Sequence, residues 1–144
     1  MPRTKVNRTK LFRIVQQCYE QDAKFKPTIQ DCREIFNNIN RQVFNGELKM
    51  PNFRLVYSQE YWGECIGNID DNSKCTIKIN KSFLSRRLFI NTLAHEMVHH
   101  KQFEQGRLKV QPPDIGGEIE DEANAKAGQY IKMFAKEDPT IYEE

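Results

Sequence analysis

The stretch "LAHEMVHH", residues 93–100, holds all three histidines of the chain. His95 and His99 bracket Glu96 in the pattern His-Glu-x-x-His. On an α-helix the two histidines lie one turn apart and project to the same side. Two imidazoles at that spacing hold one zinc ion without strain. Glu96 projects about 100° round the helix from His95, beside such a metal rather than on it. There it can take a proton from a water whose pKa zinc lowers to about 7 and return it to a leaving amine. The spacing therefore points to His95 and His99 as metal ligands and Glu96 as general base and acid. Ala94, Met97 and Val98 are apolar and seat the helix on a core. His100 reads as a solvated residue or one that supports the ligands from outside.

A catalytic zinc needs a third protein ligand and an open fourth position. No histidine follows His100, so the third ligand is an acid or comes from earlier in the chain. Asp114, Glu118, Glu120, Asp121 and Glu122 are the candidates, four of them within "GGEIEDEANAKAG". Acids at a helix start also suit the helix dipole without any metal, which fits Glu118, Glu120 and Asp121.

Around the motif, residues 6–20 place Leu11, Ile14, Val15 and Cys18 at helical spacing, and Pro27 ends that segment. Thr28 is an N-cap for a second helix, with Ile29, Cys32, Ile35, Phe36, Ile39 and Val43 on one stripe and Gly46 as its stop. "MPNFRLVY" alternates as a strand. "YWGECIGNI" and "KCTIKIN" flank the turn "DDNS" as a β-hairpin, with Cys75 opposite Asn68. "SRRLFINTLAHEMVHHKQFEQG" reads as a long helix ending at Gly106, "RLKVQPPDIGG" as a loop, and "EIEDEANAKAGQYIKMFAK" as the last helix. Helices, a small sheet, then helices describe an α+β fold. The length of 144 residues suits one domain, with residues 1–5 and 138–144 as loose tails. The hairpin ends a few residues before the active-site helix, so its outer strand runs past the metal. Its exposed edge is a docking rail for an extended peptide. Trp62 and Gly63 begin that hairpin and are candidates for the cleft, with Trp62 equally a core residue.

Charge narrows the partners. With 22 basic and 20 acidic residues the net charge is +2, too small to draw the chain as a whole to nucleic acid or anionic membrane. Only the N-terminal Arg3, Lys5, Arg8, Lys10 and Arg13 suggest a weak association with DNA. There is no apolar run near 18 residues, and "MPRTKVNRTKLFR" is not a secretory signal, so the expected location is the cytoplasm. Cys18, Cys32, Cys65 and Cys75 include no Cys-x-x-Cys pair and read as reduced thiols.

"HEMVH" followed by "EDEANAKA" resembles the ImmA/IrrE family of gluzincin-type metallopeptidases, whose second motif is Glu-Ala-Asn-x-Phe-Ala. Glu122, Ala123, Asn124 and Ala127 match it, and Lys126 stands where the phenylalanine does. The resemblance implies Glu122 as third ligand. Position within the helix agrees: Glu118 follows two glycines at a fraying end, whereas Glu122 lies on a rigid turn beside the small Ala123. Glu118 then orients a histidine from outside. The upstream half, "IFNNINRQVFNGELKMPNFRLVY" and "WGECIGNI", resembles SprT-like metalloprotease domains, which use a third histidine that this chain lacks. Together the resemblances cover residues 35–130 and imply a minimal zincin fold: N-terminal helices, a small twisted sheet, an active-site helix and a C-terminal helix. They imply a zinc peptidase acting on a protein or peptide, of a size that suits a phage or mobile element. The competing reading is a zinc-containing regulatory protein that sequesters its partner without cleaving it. A purely structural site, however, has no use for Glu96.

Overall fold

The computed structural model describes residues 3–5, 25–58, 60–67, 75–107 and 117–143. Along the chain run β1 (Arg3–Lys5), α1 (Ile29–Val43), β2 (Asn52–Val56), β3 (Tyr61–Gly67), β4 (Cys75–Asn80), α2 (Arg86–Glu104), α3 (Glu118–Glu137) and a 3₁₀ turn (Pro139–Glu143). This is an α+β fold. The expected helix over 6–20, the turn at 70–73, Asp114, Cys18 and the basic residues Arg8, Lys10 and Arg13 lie outside the described residues. Among the described residues, no helix is long and apolar enough to cross a membrane.

Each helix starts where its capping chemistry dictates. Thr28 Oγ1 accepts from the Asp31 N–H at 3.0 Å, and the Asp31 carboxylate accepts from the Thr28 N–H at 2.9 Å. This reciprocal cap satisfies two amides that the first turn leaves orphaned. Ser85 Oγ accepts from the Leu88 N–H at 3.0 Å and starts α2. Gly106, at φ 74°, adopts the left-handed conformation just past the end of α2. The stripe of α1 buries Cys32, Phe36 and Ile39 as expected, and also Asn40. The Asn40 amide donates to the Leu48 carbonyl at 3.0 Å and accepts the Leu48 N–H at 3.1 Å, so it ties the chain after α1 back onto the helix.

The sheet order is β1-β3-β4-β2. The hairpin strands β3 and β4 are antiparallel, and β2 joins β4 in parallel. Ile77 and Ile79 point from one face of β4 into the core and are fully buried. The register pairs Cys75 with Gly67, one residue from the expected Asn68, and pairs Cys65 with Ile77. Cys65 and Cys75 therefore sit diagonally on one face, and both are buried free thiols, as is Cys32.

The three helices share one hydrophobic cluster with the sheet. α1 packs on β2, α2 packs mainly under β3, and α3 lies against α2. α2 reaches β3 closely because of Gly63. A Cβ there would stand 2.7 Å from Thr92 Cγ2 and 3.2 Å from Glu96 Cγ. Thr92 is fully buried in mid-helix and has nowhere to retreat. We expect Gly63→Ala to cost about 1–3 kcal/mol through overpacking, read as a lower urea midpoint with unchanged slope.

The chain ends differ from the loose tails expected. Residues 3–5 form β1, paired antiparallel to β3. At the other end Ile141 is fully buried, which pins the 3₁₀ turn to the core, and Arg86 reaches Asp138 at 2.7 Å. Burial of the isoleucine contributes roughly 1.5–3 kcal/mol toward holding this segment on the core.

Candidate metal centre

The middle of α2 is buried all round, from Leu93 to His100. Four side chains in that stretch look in different directions because each residue advances about 100°. Glu96 faces β3, against the Gly63 backbone. His100 turns about 40° one way from it and His95 and His99 about 100° and 60° the other way. His100 accordingly meets α1 and the segment before β2. Its Nε2 donates to the Lys49 carbonyl at 2.7 Å, and its ring lies 6.3 Å from that of Phe36. It is fully buried, so it is an anchor for the Lys49 segment and not a solvated group. Burial alone would push its pKa down, but Cys75, the Lys49 carbonyl and Glu104 together hold it up.

His95 and His99 face the opposite side, toward α3. There the acid that meets them is Glu120. Its Oε1 lies 2.9 Å from His95 Nε2, and its Oε2 lies 3.4 Å from His99 Nε2. The two imidazole Nε2 atoms are 3.2 Å apart. His95, His99 and Glu120 each bring one ligand atom to within 4.8 Å of the others, and all three side chains are buried. Glu96 Oε2 stands 4.0 Å from His95 Nε2, next to this cluster and not part of it.

Glu122, expected as third ligand, points away. Both its oxygens lie 3.0 Å from Arg107 Nη1, at a partly exposed position. The reason is rotation. Residues 120 and 122 differ by about 200° around α3, so only one of them can face α2. The buried stripe of α3 runs Glu120, Ala123, Ala127, Tyr130 and Ile131. Ala123 does let the helices approach closely, but the acid on its stripe is the one three residues before it. Glu118, one turn from Glu122, is exposed. The signal that was available is an acid in phase with an alanine stripe.

Gln102, absent from the sequence reading, holds His99 in place. Its Nε2 donates to the Ile119 carbonyl at 3.1 Å and to Glu122 Oε1 at 3.2 Å. The oxygen end of the amide therefore faces His99, and Nδ1 of His99 donates to it at 2.8 Å. A proton on Nδ1 leaves the lone pair on Nε2, which is the nitrogen turned to Glu120. The support role expected of Glu118 thus belongs to Gln102, backed by Glu122. We expect Gln102→Leu to lower zinc affinity about 10–100-fold, measured by competition with a chromogenic chelator.

Trp62 is core, its ring stacked on Phe83 at 5.5 Å, and Gly63 faces Thr92 and Glu96. Across the hairpin the Cys65 thiol donates toward Cys75, with His100 on the other side, and holds Cys75 down to about 6 against its burial. Burial pushes Cys65 up.

Two imidazoles and a carboxylate, converging from two helices, form a set of three donors that fits a divalent metal. The tautomer that Gln102 imposes on His99 fits the same purpose. A search of curated proteins finds no match to the chain. The model of the SprT-like family matches residues 32–112, which carry all but the first three residues of α1, the sheet strands β2 to β4 and the whole of α2. That match stops before α3, so the ImmA/IrrE-like reading of residues 122–127 has no counterpart in it. Since the matched region is more than half of the 144 residues and includes the helix that bears both histidines, the chain belongs to the SprT-like family.

Proposed function

We propose that the protein is a zinc-dependent peptidase that hydrolyses a peptide bond within a protein substrate. The observation that carries this reading is the convergence of His95, His99 and Glu120 beside the buried carboxylate of Glu96. His95, His99 and Glu120 would hold the ion. Zinc, when bound, supplies a Lewis acid and lowers the pKa of water to about 7. Glu96 takes the proton from the attacking water and delivers it to the leaving amine. Glu96 is fully buried beside Gly63, and its Oε2 lies 4.0 Å from His95 Nε2. Gln102 keeps His99 in the tautomer that offers Nε2. A site that only stiffened the fold would gain nothing from burying Glu96 beside it, which favours a peptidase over a sequestering protein. The reading also places the protein in a reducing cytoplasm, supported by the free thiols Cys32, Cys65 and Cys75.

The test is incubation of the zinc-loaded wild type and of Glu96→Gln with a panel of candidate proteins, with new termini read by mass spectrometry. Termini that appear with the wild type and not with the variant support the proposal. Zinc-loaded wild type that produces none from any protein in the panel, casein included, counts against it.

A further inference from the structure

The strand that runs beside Glu96 is not open to a peptide as the chain folds here. β3 has β4 on one side and β1 on the other. The pairing of β1 is antiparallel and spans Tyr61 to Glu64, with Lys5 in register with Tyr61 and Arg3 with Glu64. That is the part of β3 containing Gly63, where an added Cβ would run into Thr92 and Glu96. It is also the correct side of the molecule. His100 faces α1 and the segment before β2, at the far edge of the sheet, whereas His95 and His99 turn the other way round α2, toward the edge that β1 occupies. An extended polypeptide bound by strand addition at this edge would pass the metal cluster. Three residues of the chain's own N-terminus already make that addition.

We propose that β1 is a built-in competitor for the peptide-docking edge of β3, so that a substrate strand must displace residues 3–5 before it can reach Glu96. This rests on the peptidase reading for its functional consequence, though not for the strand exchange itself. A strand of three residues offers few backbone hydrogen bonds, which suits displacement by a longer partner. Its tether offsets that weakness, because a tethered segment competes at an effective concentration on the order of millimolar. The partner is defined by chemistry: an extended, unfolded stretch of polypeptide with free backbone donors and acceptors, rather than a folded surface.

The test compares the full-length wild type with Arg3→Pro/Lys5→Pro, since proline cannot donate to a strand ladder. Hydrogen exchange is followed at residues 61–64. In parallel, a fluorescent synthetic peptide with the sequence of residues 1–8 is titrated and read by anisotropy. The variant is expected to exchange those amides of the stretch that point to β1, rather than those bonded to β4, about tenfold faster or more, and to bind the peptide about tenfold tighter or more. Saturating peptide added in trans should restore slow exchange, which also shows that the variant is folded. Equal exchange in the two proteins, or failure of the peptide to restore protection, overturns the proposal. Casein hydrolysis that rises in the variant supports it further. Restored protection with no hydrolysis by the zinc-loaded variant leaves β1 as the occupant and overturns the peptidase reading instead.

Discussion

If the chain is the metallopeptidase proposed, Glu96→Gln is expected to keep metal and to lose hydrolysis by about 10²–10⁴-fold, the usual worth of a positioned proton-transfer group. The amide has the shape of the carboxylate, so Gly63 and Thr92 still pack against it and α2 does not move. What it lacks is the ability to take a proton from water. Glu96 stands 4.0 Å from His95 Nε2 and outside the cluster of His95, His99 and Glu120, so zinc content should stay at about one per chain. The measurement pairs metal analysis with the rate of cleavage under saturating substrate. Loss of zinc along with activity would mean that Glu96 is itself a ligand.

Glu120→Ala lowers zinc affinity on the order of a hundredfold or more, and Glu122→Ala by about tenfold at most. The first removes an oxygen 2.9 Å from His95 Nε2 and leaves two imidazoles without their third partner. The second removes one acceptor of Gln102 and the carboxylate partner of Arg107, both one step from the site. Gln102 retains the Ile119 carbonyl, so it still presents its oxygen to His99. Competition against a chromogenic chelator ranks the two variants. The opposite ranking would restore the Glu-Ala-Asn reading and contradict the rotation of α3 described above.

The histidine pair and Glu96 were legible in the sequence because they lie on one helix, and one helical period sets all three directions. The cap at Thr28, the stop at Gly106 and the hairpin were legible for a similar reason, since each is local chemistry. The acid that meets the two histidines, Glu120, was not. Its identity depends on the phase of α3 relative to α2, which is set by Ala123, Ala127, Tyr130 and Ile131 against the core and not by the stiffness of any single turn. Choosing Glu122 weighed rigidity and left phase out. β1 was hidden for another reason. Its three residues show no alternation of their own, and they are ordered only by pairing with a strand some sixty positions later. Gln102 and Asn40 look like ordinary polar positions on amphipathic helices. Their roles appear only when the Ile119 and Leu48 backbones arrive beside them.

The central claim is that His95, His99 and Glu120 hold a metal that Glu96 uses to cut a peptide bond. The most direct measurement is cleavage of one protein substrate by the purified chain, followed as new termini before chelation, after chelation and after zinc is returned. The expected result is defined termini that vanish on chelation, return with about one equivalent of zinc, and fail to return when the same cycle is run on Glu120→Ala at that zinc level. Identical termini in the chelated protein, or full recovery in Glu120→Ala at one equivalent, would contradict it.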